Sequence, residues 1–330
     1  MSMRLSVHRA GWPMKAPFAI TGYVFESLDA VVVSLEEDGF VGRGEGVGVY
    51  YLNENSGLML EQIESARKDI EGGVSLDDLQ QMLPPGGARN AMDCALWDLK
   101  SKRSDKTIWE LTGISPKPQR TVFTIGIQET PEAMAEQAAW AKKFPFLKIK
   151  LDGVDPVARI AAIREARPDA SIIIDANQGF SFSLLTEVLE PFADLGVAMI
   201  EQPLPRGADE ELTGFRAPIP ICADESCLHR EDLPEVLERY DMINIKLDKT
   251  GGLTEALALA QEARVAGKGL MVGNMLGTSL SMAPAYVIAQ LCDFVDLDGP
   301  LNLESDCAGG MTYEAGVITA PDHGLWGTPS

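Results

Sequence analysis

From residue 121 onward, short apolar runs alternate with longer segments of helical periodicity. Thr130-Pro131 is a favoured pair at a helix start, and residues 256–269 show helical periodicity that ends at glycine. Because right-handed crossovers place every helix outside the strands, repeats of this kind predict a closed parallel (β/α) barrel. The eight predicted strands lie near residues 121–128, 146–151, 171–175, 197–201, 219–223, 242–247, 269–273 and 294–298.

The first third of the chain has a different pattern, which predicts an α+β segment. Residues 30–36 and 40–45 are apolar stretches that flank Glu37-Asp38-Gly39, a turn sequence that predicts a β-hairpin. Ser75 is a candidate N-cap for one of the helices that follow. Helical periodicity covers about 57–71, 76–83 and 88–103.

These patterns together predict an α/β protein: a TIM-like (β/α) barrel with an N-terminal α+β capping domain. We predict the capping domain over residues 1–112 and the barrel over 113–299, with residues 300–330 returning to the capping domain. The sequence GRGEGVG at residues 42–48 does not have the GxGxxG spacing of a phosphate-binding loop, and no helix follows it directly. We therefore expect a mobile loop there.

Composition limits the class of protein. The 330 residues are 45% hydrophobic and carry a formal charge of −21, which suits a globular protein and disfavours nucleic acid, because its phosphates would be repelled. The first 20 residues do not resemble a signal peptide and no apolar stretch is long enough to span a bilayer, so we expect a cytoplasmic protein without a membrane partner. Cysteines without a CxxC pair predict free thiols in a reducing compartment. The three scattered histidines, His8, His229 and His323, do not indicate a zinc site.

Carboxylates end three successive predicted strands, at Asp175, Glu201 and Asp224. The carboxyl ends of parallel barrel strands meet at one opening, so these three side chains should lie close together. Like charges at that distance need a cation, and oxygen ligands without His or Cys favour Mg²⁺, with Mn²⁺ as an alternative. Carboxylates paired with barrel lysines for a purely structural purpose are the competing interpretation.

Lysines flank this predicted metal site. Lys148 and Lys150 share one strand face, and Lys246 ends a strand on the opposite side of the barrel. A substrate carboxylate on the cation would have an acidified α-proton, which one lysine could remove while another returns a proton on the opposite face. Lys148 should lower the pKa of Lys150 toward the working pH. The competing interpretation is that the lysines only neutralise the carboxylates.

The same residues give the chain a resemblance to the enolase superfamily, and within it to the muconate-lactonising subgroup. The resemblance covers nearly the whole chain, through ARNAMDCALWDLKSK, the KIK of the second strand, DAN, EQP, ADES and NIKLDKTGG. A lysine base with Mg²⁺ is a pattern of this superfamily. The resemblance implies that Lys150 and Lys246 are the acid/base catalysts and that Lys148 assists the developing anion.

Asp296 and Asp298 favour one reaction within the subgroup. Two carboxylates on one face at the end of the eighth strand would suit the free α-ammonium group of a dipeptide, which muconate and N-acyl amino acids do not have. The DLDGP stretch also resembles the motif in which dipeptide epimerases bind the substrate N-terminus. The expected function is therefore a Mg²⁺-dependent 1,1-proton transfer at the α-carbon of the C-terminal residue of an L-Ala-X dipeptide, either L-Ala-D/L-Glu or a more apolar dipeptide.

The predicted capping loop, residues 19–27, departs from the pattern of the relatives that act on Ala-Glu. Those enzymes typically have an arginine in this loop for the glutamate side chain, whereas AITGYVFES contains no Lys or Arg. Tyr23 and Phe25 are candidate contacts for an apolar second residue, or simple packing residues. Arg43, on the glycine-rich segment, is the alternative source of a cation.

Other functions remain as alternatives. Within the superfamily these are N-acylamino-acid racemase and cycloisomerase. A Schiff-base lyase also uses a lysine on the sixth barrel strand, and a non-catalytic metal-dependent binding protein would keep the carboxylates. Borohydride trapping with a carbonyl substrate tests the lyase, and deuterium exchange at a dipeptide α-carbon tests the binding protein. A small dipeptide is the expected partner and a homo-oligomer is compatible with the sequence, which specifies neither the side-chain preference nor the pathway.

Overall fold

The computed structural model describes residues 3–321 and 324–329; His323 lies outside the described residues. The N-terminal part is a three-stranded antiparallel sheet followed by helices. Its strands are β1 (Arg4–Ile20), β2 (Tyr23–Glu37) and β3 (Phe40–Val47), and its helices are α1 (Ser56–Ser65), α2 (Arg67–Glu71), α3 (Leu76–Met82), α4 (Gly87–Ser104) and α5 (Ile108–Thr112).

The structure confirms the β2–β3 hairpin and adds β1, which the sequence analysis did not predict. β1 pairs with β2 from Arg4↔Glu36 to Ile20↔Tyr23. Exposed and more buried residues alternate along the first part of β1, but the phase slips at His8-Arg9 and many positions are exposed, which weakens the pattern by which a half-buried strand is recognised. The capping loop is in consequence the tip of the β1–β2 hairpin rather than a separate loop.

The prediction of a mobile loop at residues 42–48 is wrong for most of that segment. Gly42, Gly44 and Gly46 lie in β3 and face α4, so closely that a Cβ on Gly44 would lie 2.1 Å from the Ala91 carbonyl oxygen. Added Cβ atoms at Gly42 and Gly46 would lie 2.2 and 2.1 Å from carbonyl oxygens of the same helix. The alternate glycines are the flat face of a strand against which a helix packs, not a flexible connection.

The second part of the chain is the predicted barrel. After the short strand β4 (Gln119–Arg120), a parallel sheet of eight strands runs in sequence order and curls until the Val122 N–H donates to the Val295 carbonyl, 2.9 Å away. Its strands are β5 (Phe123–Ile125), β6 (Phe146–Lys150), β7 (Ser171–Asp175), β8 (Val197–Glu201), β9 (Ile221–Ala223), β10 (Met242–Ile245), β11 (Gly269–Val272) and β12 (Phe294–Val295).

Helices separate the barrel strands except between β8 and β9, where the predicted helix is replaced by a single 3-10 turn, Glu210–Leu212. Thr130 accepts a hydrogen bond from the Ala133 N–H and Pro131 begins the first of them, as predicted. Ser75 likewise forms a capping box with Asp78 at the start of α3. The barrel helices are α6 (Pro131–Trp140), α7 (Pro156–Ala166), α8 (Phe182–Asp194), α9 (Leu233–Arg239), α10 (Leu247–Thr250), α11 (Leu253–Val265) and α12 (Ser279–Ala289).

The barrel interior has an apolar layer below its polar mouth. Ile173, Met199 and Cys222 belong to one buried cluster, and each precedes an ionisable residue by two positions. Because strand side chains alternate, the ionisable residue points into the same interior one layer higher. The apolar layer closes the barrel, so the polar groups open only toward the carboxyl ends of the strands.

The C-terminal segment joins both parts. Its strands β13 (Tyr313–Glu314) and β14 (Val317–Ile318) form a small sheet with β4. The Trp326 indole donates to the Cys94 carbonyl in α4, 2.9 Å away, and the Glu304 N–H donates to the Pro13 carbonyl in β1 at the same distance. No helix in residues 3–321 and 324–329 has the length and apolar character needed to cross a membrane.

Candidate active site

The predicted ionisable residues meet at the mouth of the barrel. Asp175 is paired in register with Lys150 on one side and with Glu201 on the other, so adjacent backbones set their spacing. Ion pairs among them lie within 3.0 Å and are buried. The residues brought together are Lys148, Lys150, Asp175, Glu201, Asp224, Lys246, Asp296 and Asp298.

Lys148 lies at the centre of this cluster. Its Nζ is 2.7 Å from Glu201 Oε2, 2.8 Å from Asp296 Oδ2 and 3.0 Å from Asp175 Oδ2. Desolvation by burial acts to lower the pKa of Lys148, but the surrounding carboxylates outweigh it and hold that pKa well above its usual value. Lys148 is therefore a fixed positive charge in the middle of the carboxylates.

Lys150 and Lys246 lie on opposite sides of the cluster, and each contacts one of the predicted metal ligands. Lys150 Nζ is 2.6 Å from Asp175 Oδ2, and Lys246 Nζ is 2.7 Å from Asp224 Oδ2. Burial opposes the charge of Lys246, yet Asp224 and then Glu201 raise its pKa above the usual value. A cation bound to these carboxylates would weaken their field at the lysines and so ease the loss of a proton.

The three carboxylates fit a hard cation in chemistry and in charge. Burial, and then Asp175, raise the pKa of Glu201 to about 7, and its Oε2 has no well-directed hydrogen bond. Among the described residues, no three His, Cys, Asp or Glu side chains are arranged to hold a metal ion as they stand, because lysine ammonium groups lie between the carboxylates. Within the cluster at the barrel mouth, buried carboxyl groups outnumber buried ammonium groups, so the site has room for added positive charge: Asp175, Glu201, Asp224, Glu225, Asp296 and Asp298 against Lys148, Lys150, Lys246 and Lys249.

Asp296 and Asp298 line the same pocket at the end of β12. Asp296 Oδ2 accepts a hydrogen bond from Lys148 Nζ, while the buried Oδ1 of the same carboxylate has no hydrogen-bond partner. Asp298 Oδ2 accepts from the Thr124 N–H at 2.8 Å. Burial, and then the neighbouring Asp296, raise the pKa of Asp298 to about 7. Of this pair, only Asp296 has an ion-pair partner among the described residues, Lys148. An ammonium group is the kind of ligand that would supply a positive charge beside Asp298.

Aromatic side chains from the N-terminal part cover the pocket. Phe25 lines it together with Tyr50 and Tyr51. Tyr23 does not line it: this ring packs against Phe25, with centroids 4.6 Å apart, and is 45% exposed. Arg43 donates to the Gly324 and Leu325 carbonyls of the C-terminal segment rather than to the site. It is therefore not the alternative cation for a substrate glutamate that the sequence analysis considered.

The pocket contains no spare cation within the described part of the chain. No arginine lines it, and its lysines are Lys148, Lys150 and Lys246, each paired with a carboxylate. The remaining wall is apolar or neutral, with Met275 and Leu276 facing the aromatic cover. A negatively charged substrate side chain would therefore have no free partner here.

Sequence analysis missed several polar residues of the site. Asn177 Oδ1 accepts from Lys150 Nζ at 2.9 Å, and Asn244 Nδ2 donates to Glu201 Oε1 at 2.6 Å. Glu225 is buried in the pocket, and burial, followed by Asp224, raises its pKa to about 8. Lys249 lies below Asp224. All four stand within three positions of a predicted site residue, which was the available signal.

Comparison with known proteins agrees with this geometry. Residues 2–113 match the family described as mandelate racemase / muconate lactonizing enzyme, N-terminal domain, and residues 133–325 match the family described as enolase C-terminal domain-like. The L-Ala-D/L-Glu epimerase of Escherichia coli (strain K12) is 44% identical over 95% of this chain and 98% of the relative. The N-acetyl-D-glutamate racemase of Pseudoalteromonas sp is 41% identical over 90% of this chain and 95% of the relative.

Solved structures of other proteins are also similar to this chain along nearly its whole length. An enolase family member from Agrobacterium tumefaciens, with homology to dipeptide epimerases and with sodium and L-Ala-L-Glu bound, has a TM-score of 0.95 at 42% identity, over 98% of this chain and 100% of that one. The dipeptide epimerase of Enterococcus faecalis V583, complexed with Mg and L-Leu-L-Tyr, has a TM-score of 0.91 at 31% identity, over 99% of each chain.

Proposed function

Because the chain belongs to the mandelate racemase / muconate lactonizing enzyme family of the enolase superfamily, we infer that it is an isomerase that epimerises dipeptides. One observation carries the mechanism: Lys150 and Lys246 lie on opposite sides of the buried carboxylate cluster for which we propose a metal. An amine on each face of the substrate is what inversion at one carbon requires.

Asp175, Glu201 and Asp224 would hold a divalent cation, for which we propose Mg²⁺, with Mn²⁺ as the alternative of the same hard character. When bound, the cation would stabilise the negative charge that develops on the substrate carboxylate as the α-proton leaves. Lys148, beside Asp175 and Glu201, would place a fixed positive charge near the same oxygen atoms.

The two outer lysines would carry the proton transfer. Lys150 Nζ removes the α-proton from one epimer while Lys246 Nζ delivers a proton to the opposite face, and the reverse reaction exchanges these parts. Asn177 Oδ1 accepts a hydrogen bond from Lys150 Nζ and so helps to position this amine. Only the residue whose carboxylate lies at the metal site is epimerised, because its α-carbon alone lies between the amines.

The substrate N-terminus would bind Asp296 and Asp298. The lack of an ion-pair partner for Asp298 among the described residues, and the free Asp296 Oδ1, support a free dipeptide over an N-acyl amino acid. N-acylamino-acid racemisation is the second candidate, because the Pseudoalteromonas relative acts, by its name, on N-acetyl-D-glutamate. The two substrates differ at the ammonium group alone, so comparing free and N-acetylated dipeptides separates them.

We propose an apolar or neutral second residue rather than glutamate. The pocket wall near Phe25 and Tyr50 is aromatic and, in the described residues, contains no unpaired cation. A glutamate side chain would lose hydration there without gaining a partner, which costs free energy in a closed site.

The decisive experiment follows the α-proton in D₂O. With Mg²⁺ and L-Ala-L-Leu, the wild-type protein should exchange the proton and epimerise, and chelation should stop both reactions until Mg²⁺ is restored. Lys150→Ala and Lys246→Ala should each reduce epimerisation by at least about 10²-fold, since each removes one of the two acid/base groups. One variant should still exchange the α-proton of one epimer. Normal epimerisation by both variants would contradict the two-base mechanism.

A further inference from the structure

Lys249 is a fourth buried lysine, and it belongs to none of the steps above. It lies in α10, three residues after Lys246, and its side chain is fully buried. Unlike Lys148, Lys150 and Lys246, it does not line the pocket. An ammonium group without solvent or substrate contact needs a reason to be buried, because desolvation of a charge is costly.

Its contacts supply that reason. Lys249 Nζ lies 2.6 Å from Asp224 Oδ1 and 2.6 Å from the Asp224 carbonyl oxygen. It also lies 2.9 Å from the carbonyl oxygens of Cys227 and Asn244. An ammonium group has three protons, so four acceptors leave none of them for a substrate. Lys249 thus fastens the segment after β9 to the end of β10.

These contacts fix one carboxylate in particular. The backbone of Asp224 is held from the other side, where its N–H donates to Gln202 Oε1 at 2.9 Å. Its Oδ2 faces Lys246, at the pocket, while Lys249 holds Oδ1 from below. Of the two lysines that hold this carboxylate, Lys249 is the one outside the pocket.

We propose that Lys249 is a positioning residue that orients Asp224 as a metal ligand. The proposal rests on the metal site proposed above, but not on the identity of the substrate. Groups that orient a ligand of a metal typically contribute tenfold to a hundredfold to its affinity. A positive charge near a cation site has the opposite effect, because it repels the cation. The direction of the change in affinity therefore distinguishes orientation from charge.

The test is titration calorimetry of the chelator-treated protein with MgCl₂ alone. Lys249→Met should bind Mg²⁺ about tenfold to a hundredfold more weakly than wild type. Lys249→Arg, which keeps the charge and changes the geometry, should also bind more weakly. Lys268→Met is the matched control: Lys268 donates to the Tyr240 carbonyl, away from the site, and this variant should bind Mg²⁺ like wild type. Lys249→Gln replaces Lys249→Met if the latter does not fold.

Equal or tighter Mg²⁺ binding by Lys249→Met, or by Lys249→Gln where it replaces that variant, would overturn the proposal. Urea unfolding of the chelated and the Mg²⁺-loaded forms gives a second readout. Orientation predicts that Mg²⁺ stabilises the variant less than wild type, whereas a purely structural lysine would lower both forms equally. If wild type binds Mg²⁺ normally but epimerises no dipeptide, the proposed function fails and this proposal stands.

Discussion

Asp298 is one of the two buried carboxyl groups that we propose bind the ammonium group of the substrate. One of its oxygens accepts from the Thr124 N–H, and an asparagine carbonyl at the same position could keep that hydrogen bond. What asparagine cannot keep is the negative charge that completes the pair with Asp296. The substitution therefore separates the charge of this residue from its place in the structure.

We predict that Asp298→Asn lowers kcat/KM for a free dipeptide. The loss should correspond to about 1.5–3 kcal/mol of transition-state stabilisation, the value of a charged hydrogen bond. The reduction should not extend to Mg²⁺ affinity, measured by calorimetry, because the metal ligands are untouched. N-acetyl-L-Ala-L-Leu serves as the control substrate, since it has no ammonium group to lose. Equal activity of the wild-type protein on the free and N-acetylated dipeptides would instead favour the N-acylamino-acid racemase.

At the scale of residues, the strand-end carboxylates and lysines could be read from the sequence, because a period of two places them on the interior face. Gln202 could not. It follows Glu201 directly, out of phase with that period, and its backbone lies in the left-handed region, with φ of 32°. Lys249 was equally hidden, since its partners come from three separate segments.

At the scale of elements, β3 shows why a glycine-rich stretch need not be a loop. Its alternate glycines let α4 approach the sheet, and this close approach joins the two elements. From sequence alone, four glycines in seven residues resemble a flexible segment. Only the partner helix reveals that Gly44 has no room for a side chain.

Gly44→Ala should therefore lower the free energy of unfolding by at least about 1–3 kcal/mol, as overpacking does, because backbone atoms of α4 would have to shift. Urea unfolding monitored by circular dichroism measures the change. Gly11→Ala in β1 is the matched control, since an added Cβ there meets no atom within 4 Å. The control should change stability by no more than about 0.5 kcal/mol. Equal effects at the two positions would contradict the packing argument.

The β1–β2 hairpin tip, residues 19–27, is a second such element: the sequence predicted it as a capping loop over the substrate but did not predict its strands. Thr21 Oγ1 lies 3.1 Å from the carbonyl oxygens of Leu151 and Ala176, so the tip is fastened to the barrel mouth. Phe18 and Phe25 are paired across the hairpin, and both line the pocket. The tip is thus a built wall of the site, and its composition should set the substrate preference.

We predict a higher kcat/KM for L-Ala-L-Leu and L-Ala-L-Phe than for L-Ala-L-Glu. Covering an aliphatic side chain contributes roughly 1–3 kcal/mol, whereas a glutamate carboxylate would lose water without gaining a cation. Phe25→Ala should reduce the preference for the apolar substrates. Tyr23→Ala, whose ring lies outside the pocket, should change it less. A clear preference of wild type for L-Ala-L-Glu would show that the wall does not set specificity.

At the scale of the whole molecule, buried carboxyl groups join the N-terminal part to the barrel. Asp248 accepts from the Val47 N–H and from Asn90, and burial raises its pKa to about 7. Asp93 in α4 accepts from the Thr254 N–H, and burial raises its pKa to about 6. Sequence patterns predicted the two parts but not this interface, because its contacts join residues far apart in the chain.

Glu45 is the clearest of these groups. It is 1% exposed, and its two oxygens accept from the Thr278 N–H at 2.7 Å and the Thr278 hydroxyl at 2.6 Å. Burial raises its pKa from 4.5 to about 7, although these hydrogen bonds oppose the shift and the nearby Asp306 adds to it. The folded protein thus holds a proton on Glu45 more tightly than the unfolded chain does.

The contribution of Glu45 to stability is therefore fully present below pH 4.5 and is lost as the pH rises to about 7. Glu45→Gln keeps a carbonyl for the Thr278 N–H and has no charge at any pH. Relative to wild type, it should gain about 1–3 kcal/mol in free energy of unfolding between pH 5 and pH 8. Urea unfolding of both chelated proteins at the two pH values measures this difference, and the other interface carboxylates cancel in the comparison. An identical wild-type-to-variant difference at pH 5 and pH 8 would mean that Glu45 does not titrate in this range, and that burial costs the charged form less than the interface geometry implies.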